Sequence, residues 1–524
     1  MQKIQRPRKI TGADRCGKKK TEKGKKNAAK CEKWLVYPGE IWYDVRRSGA
    51  GQRPLICGLA AVGPKACFCA RRFFMSQPQK AQASVEQGIY DARTLGVPKM
   101  LILGLQHTFA MFGATVLVPF LTGLSVPTTL FCAGIGTLLF HLIAKGKVPA
   151  FLGSSFAFLG GILLVAPKLV DPATGEATLA NTEMLPYACG GIMISGLVYV
   201  VMSILISVFG IQKVMRFFPP VVTGPIIIAI GLILAPSAIQ NCQSNWVLAL
   251  VALAIVVACN IWGKGMIKIL PILLGVIGSY IVALLMGAVD FTSVQEAKAI
   301  AFPVVGSQMA KFSLSACLTI VPISLATMME HIGDVAAISA TTGKNFIRDP
   351  GLNRTLLGDG LATSLAGFLG GPANTTYGEN TGVLALSRVY DPRVVRIAAC
   401  FAIILSFSPK FGAIVNTVPA GIIGGISFIL YGMISAIGVR NVVENQVDFT
   451  NSRNLIIAAV ILVSALGFNS IGGLSIVINP ELTINLSGLA IAAILGILLN
   501  AVLPGNDYQF DKVSNTGDSM NFQV

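Results

Sequence analysis

The chain has 524 residues, of which 53% are hydrophobic and 12% charged, and its mean hydropathy is +0.70. That balance excludes an ordinary soluble enzyme and indicates a polytopic membrane protein whose obligatory partner is the lipid bilayer. The formal charge of +17 is concentrated at one end: residues 1–74 hold 19 Lys and Arg against 5 Asp and Glu, a balance of +14, and the rest of the chain 22 against 19, a balance of +3. The basicity is therefore a property of the tail, and nucleic acid is not an expected partner. The six cysteines after the tail (Cys132, Cys189, Cys242, Cys259, Cys317, Cys400) stand singly in apolar runs and lack metal-ligand spacing, so no metal site is expected.

Residues 1–74 contain the cluster KKKTEKGKK but neither the serine content of a transit peptide nor the apolar core of a secretory signal. They read as a basic, disordered or mis-called extension upstream of a natural start at Met75, followed by a cytoplasmic leader over 75–97. Apolar runs against polar punctuation then predict spans at 98–122, 125–144, 149–168, 186–209, 219–236, 246–262, 267–289, 312–342, 352–370, 374–390, 395–411, 417–437, 454–468 and 484–503, before a cytoplasmic tail over 504–524. With both termini cytoplasmic, the inside segments from Lys80 onward hold eighteen Lys and Arg and the outside segments only Lys168, Lys298, Lys311 and Lys410. That bias is what short basic loops produce when they resist translocation.

Fourteen spans divide into two sets of seven, and an odd number per half forces the halves into opposite orientation. Matching landmarks support such a repeat. Gln106-His107 opens one half and Glu330-His331 the other, and the third segment of each begins with Pro-Ala and a polar stretch, PAFLGSSFAF from Pro149 and PANTTYGENT from Pro372. Paired interrupted segments at equivalent places in two halves point to a binding site near the bilayer midplane. The second, PANTTYGENTGVLALSR, places non-helical backbone over Asn374 to Glu379 at membrane depth, where it must line a cavity or be buried in protein.

The acids Glu330, Asp334 and Glu379 are conspicuous inside spans, because an intramembrane carboxylate is costly and usually functional. Glu330 and Asp334, four residues apart on one helix, share a face. Such acids can take up a proton on one side and release it on the other, so Glu330, Asp334 and the intervening His331 form the expected proton-coupling group. Gly378 and Glu379 are expected to present backbone amides at the mouth of a half-helix, with Ser154, Ser155 and Phe156 as the opposing wall. A flat neutral ligand with alternating N–H and C=O edges suits that combination. Gln106, His107 and Asn380 are expected to support it, with His107 and His331 as hydrogen-bonders between spans and His141 structural. Neither a HExxH pair nor a Ser-His constellation is present, so an enzyme is not expected.

The motifs LGLQHTFAMFGATVLVP, KGKVPAFLGSSFAF, EHIGD with KNFIRDPGLNR, and NTTYGENTGVLALSRV resemble the nucleobase/ascorbate transporter family, also called nucleobase cation symporter 2, and within it the bacterial uracil permeases. The resemblance runs from about residue 90 to 505. It implies an all-α polytopic fold of fourteen segments in two inverted repeats, with short antiparallel strands in segments 3 and 10. A core domain would be built from 98–209 and 312–411, and a gate domain from 219–289 and 417–503. It further implies proton-coupled uracil import across the bacterial cytoplasmic membrane with no cofactor besides the proton, and a homodimer formed through the gate. Carried over by motif, the substrate contacts would be Glu330, Gly378, Glu379, backbone at Phe156, and packing from Ala114 and Tyr377. Two positions depart from the family pattern: Asp334 stands where uracil permease has His, and Ser387 where the signature has Thr. Xanthine or another nucleobase is the alternative substrate.

Overall fold

The computed structural model describes residues 88–170, 177–479 and 482–505; the basic segment 1–74, most of the 75–97 leader and the tail from 506 lie outside them. In chain order the elements are α1 Val97–Thr122, α2 Val126–Ile143, β1 Leu152–Ser154, α3 Leu159–Val165, β2 Leu169–Val170, β3 Ala177–Leu179, α4 Leu185–Phe209, α5 Ile211–Met215, α6 Pro220–Gln243, α7 Trp246–Trp262, α8 Met266–Ile269, α9 Pro271–Leu285 and α10 Thr292–Glu296. There follow α11 Leu314–Ile320, α12 Ile323–Thr342, α13 Leu352–Phe368, β4 Asn374–Thr376, α14 Glu379–Ser387, α15 Pro392–Ser406, α16 Pro409–Asn416, α17 Ala420–Glu444, α18 Ser452–Ser470, β5 Leu474–Asn479, β6 Leu482–Leu486 and α19 Gly488–Val502.

Proline and short polar residues set where these helices begin. Proline occupies the first turn of α1, α2, α4, α6, α9, α15 and α16, where its missing N–H removes no helical bond. Ser125, Asn245, Asp391, Asn451 and Ser487 cap α2, α7, α15, α18 and α19 by accepting from backbone N–H groups in the first turn. Among the described residues, seven helical spans are long and apolar enough to cross a bilayer, or eight if a bent pair counts as one; α7, α9, α19 and the stretch Phe156–Val165 are apolar but shorter. The expected span at 395–411 falls on that bent pair: α15 stops at Ser406, and α16 departs at 87°. Pro409 has no N–H for the preceding helical ladder and sits in the first turn of the new helix, where none is needed.

Two groups of helices pack around separate seams. In one, α1, α2, α4, α13 and α15 pack on one another; in the other, α6, α7, α9, α17, α18 and α19 do so. Small residues bring backbones close where hydrocarbon supplies little drive for association. A Cβ added at Gly360 of α13 would lie 2.7 Å from the Gly196 carbonyl of α4, and one at Gly438 of α17 would lie 2.8 Å from the Gly224 carbonyl of α6. α12 lies between the groups, touching α4 and α14 on one side and α6 and α19 on the other.

The stretches expected as third and tenth segments, 149–168 and 374–390, are each a short strand followed by a helix. β1 and β4 pair antiparallel, with Leu152 opposite Thr376, Gly153 opposite Thr375 and Ser154 opposite Asn374. The ladder extends by Ser155 N–H to Ala373 O and Tyr377 N–H to Phe151 O, both 2.9 Å. All six strand residues are buried, so each segment satisfies the other's backbone where water cannot. β1 runs through a 3-10 turn at Phe156–Phe158 into α3, and β4 runs through Tyr377 and Gly378 into α14.

Candidate functional site

The strand pair, the start of α14 and one face of α12 converge. α14 begins at Glu379 with Gly378 as its cap, so the first N–H groups of this half-helix have no acceptor within it. α12 packs against α14 and presents Asp334 to its mouth: a Cβ at Gly378 would stand 2.8 Å from Asp334 Oδ1. Glu330, one turn earlier and on the same face, is half-buried like Asp334. The structure thus brings Glu330, Asp334, Gly378 and the backbone of Glu379 into one neighbourhood.

Tyr377 locks the opposite wall. It is 4% exposed, and its hydroxyl donates to Ser154 O at 2.8 Å. Ser154 Oγ donates to Thr115 O at 2.9 Å and lies 3.2 Å from Tyr377 Oη. Ser154, one of the expected wall residues, uses its hydroxyl to tie β1 to α1 and to Tyr377, beside the fully buried Ala114. Ser155 is different, since its buried Oγ has no hydrogen-bond partner among the described residues. Phe156 follows and sets its ring edge-on to Tyr431 of α17, centroids 6.1 Å apart, so the wall touches the second helix group.

The supporting residues separate. His107 of α1 places Nδ1 3.4 Å from Asn380 Nδ2, linking α1 to the first turn of α14, whereas Gln106 beside it is simply buried. His331 does not share the face of its neighbours Glu330 and Asp334. Its Nδ1 lies 3.0 Å from Thr376 Oγ1 and 3.4 Å from Asp359 Oδ2, and the Thr376 hydroxyl donates to Asp359 Oδ1 at 2.9 Å. With the Thr376 proton directed at Asp359, His331 Nδ1 is left to donate. His141 donates from Nε2 to Ala150 O, 2.8 Å away, as befits a structural histidine.

A model of a permease family matches residues 98–471. The chain belongs to this family. The permease is 42% identical over 417 residues to a protein of Bacillus subtilis named uracil permease, covering 76% of this chain and 91% of that one. It is 38% identical over 443 residues to an Escherichia coli protein named putative pyrimidine permease RutG, covering 81% and 94%. In fold it is similar to the transmembrane domain of the cyanobacterial bicarbonate transporter BicA, with a TM-score of 0.56 at 16% identity over 74% of this chain and 98% of that one. It is a multi-pass membrane protein and not an enzyme.

Asp359 is the buried acid of the permease that meets His331 and Thr376. It is fully buried in α13, beneath β4, in the run LGDGLATS. Its Oδ2 has no hydrogen-bond partner among the described residues, although His331 Nδ1 lies within ion-pair distance. The rule that singled out Glu330, an acid within an apolar span, applies equally to Asp359 and finds it. Tyr199 of α4 and Thr327 of α12, joined by a 2.6 Å hydrogen bond, gave no such signal, because neither residue type is unusual in a span.

Proposed function

We propose that the permease is a uracil:proton symporter of a bacterial cytoplasmic membrane. One observation carries the reading: a half-helix begins at Glu379 beside an antiparallel strand pair, and the Glu330–Asp334 face of α12 is packed against its mouth. Uracil has two ring N–H groups and two carbonyls in one plane. Glu330 and Glu379 accept from the N–H groups, backbone N–H groups near Gly378 and Phe156 donate to the carbonyls, and Ala114, Phe156 and Tyr377 pack on the ring. Protonation at Glu330 and Asp334 couples loading to the proton gradient, since only one of two neighbouring carboxylates readily stays charged in a partly dry site. The names of the similar B. subtilis and E. coli proteins support the pyrimidine assignment.

In this reading the fourteen segments form two inverted repeats, both termini are cytoplasmic, and the group containing α1, α2, α4, α13 and α15 is a core moving against the gate of α6, α7, α9, α17, α18 and α19. Homodimerisation through the gate belongs to the same proposal. The test is uptake by proteoliposomes under an imposed pH gradient, with uracil, thymine, xanthine and hypoxanthine side by side. Gradient-dependent uracil accumulation that Glu330→Gln and Glu379→Gln each abolish is expected. Stronger uptake of xanthine would replace uracil by a purine. Uracil accumulation unaffected by a protonophore would remove the proton, and undiminished transport by either variant would remove the site.

A further inference from the structure

The segment ahead of α1 is built into the permease rather than hanging from it. Ile89 forms a parallel bridge with Val389: its N–H donates to Arg388 O at 2.8 Å, and its carbonyl accepts from Tyr390 N–H at 2.8 Å. Tyr90 donates its hydroxyl to Thr342 O at 2.7 Å, packs its ring at a tilt against Tyr390 with centroids 5.4 Å apart, and carries the Lys344 ammonium 4.4 Å above its ring. Asp391 accepts from Ala92 N–H at 2.7 Å with one oxygen and caps α15 through Arg393 N–H at 2.9 Å with the other. Arg393 closes the loop on Asp91 at 2.8 Å.

These contacts fall on two places that matter. Thr342 and Lys344 stand at the end of α12, the helix of Glu330 and Asp334; Arg388, Val389 and Tyr390 directly follow α14, the helix that starts at Glu379. α14 has nine residues, about 13 Å at the usual rise per residue, and a helix that short moves as a rod. Displacing its Arg388 end therefore displaces its Glu379 end. This segment makes main-chain bonds just after α14 and a side-chain bond to the last residue of α12.

We propose that residues 89–92 are a positioning strap that fixes α14 against α12, with Tyr90 as its principal positioning residue for substrate binding. The proposal rests on the placement of the substrate between these helices given above. The strap touches no ligand. It acts by holding the acids of α12 and the mouth of α14 at the separation that one ring can bridge.

The test uses the full chain in proteoliposomes and in detergent, comparing wild type with Tyr90→Ala, Tyr90→Phe and Lys344→Gln. Tyr90→Ala should raise KM for uracil about tenfold and leave the maximal rate per folded molecule within about twofold, because a loosened site lowers affinity without altering the moving parts. Tyr90→Phe keeps both ring contacts and loses the Thr342 bond, so it should fall between; Lys344→Gln, which removes only the cation over the ring, should fold and raise KM by about twofold. In the substrate-free protein, hydrogen exchange at residues 379–388 should quicken in Tyr90→Ala while α17 is unchanged. Unchanged KM and unchanged exchange would overturn the strap. So would a parallel fall of KM-independent rate and unfolding temperature, which marks general destabilisation. If wild type takes up no uracil, the substrate reading has failed, and the exchange experiment alone decides the strap.

Discussion

Gly153→Ala is the sharpest perturbation of the strand pair. A methyl there would lie 2.6 Å from Tyr377 Cζ, 2.7 Å from Cε2 and 2.8 Å from Thr115 Oγ1. Carbon atoms rest about 3.5 to 4.0 Å apart, so the ring must retreat by about 1 Å. It is held at both ends, by its N–H on Phe151 O at 2.9 Å and its hydroxyl on Ser154 O at 2.8 Å. Overpacking of a filled interior costs about 1–3 kcal/mol. Loss of the hydroxyl bond adds about 0.5–1.5 kcal/mol, and the two together place the destabilisation at about 1.5–4.5 kcal/mol. Tyr377 immediately precedes Gly378 and Glu379, so the site shifts with it, and uptake per folded molecule should fall by about 10- to 100-fold. Unfolding of the detergent-purified protein and proteoliposome uptake measure the two effects. Adding Tyr377→Ser to Gly153→Ala removes the ring that the methyl strikes, and the stability cycle should show a coupling of at least about 1 kcal/mol. A Gly153→Ala protein with wild-type unfolding and uptake, or a cycle with no coupling, would refute the packing described for β1 and Tyr377.

Asp359→Leu leaves His331 and Thr376 without their buried acceptor and should destabilise by about 3–5 kcal/mol, whereas Asp359→Asn keeps an acceptor oxygen and should cost less than half of that; chemical unfolding of the two variants compares them. The exposed acids set the response to pH. Hydrogen bonds from Arg93 hold the Asp91 carboxyl well below its ordinary value, and the Lys147 ammonium does the same for Asp349. A depressed carboxylate contributes stability that is complete above its unfolded value, about 4, and is lost as pH falls through the folded one. Unfolding temperature should therefore be insensitive to these groups from pH 5 to 8 and decline below about pH 4, which a thermal series in buffered detergent checks.

The parts legible in the sequence were those that break a strong local rule. A polar run between apolar spans marked Pro372 to Glu379, and the helix does begin at Glu379. Acids in apolar spans marked Glu330 and Asp334, one turn apart on α12, of which Asp334 stands against Gly378. Asp359 broke the same rule and was passed over, hidden among the small residues of its span. The partner of the Ser154 hydroxyl is not legible from its own segment, because Thr115 belongs to a different helix. The bend after Ser406 is encoded by Pro409, but hydropathy averaged over a window cannot distinguish a straight span from two short helices. The leader before α1 looked featureless because its partners, Thr342 and residues 388–391, lie some 250 to 300 positions away.

The pairing of β1 with β4 has a consequence for how the chain is made. Phe151 and Ser155 emerge from the ribosome long before Ala373 and Tyr377, yet the Phe151 carbonyl and the Ser155 N–H bond to that later strand. Until it arrives, the early strand sits in the nascent bundle with peptide groups that hydrocarbon cannot solvate. Insertion of the first half is thus provisional, and maturation of the permease closes when a short stretch of the second half completes a ribbon that neither half can form alone.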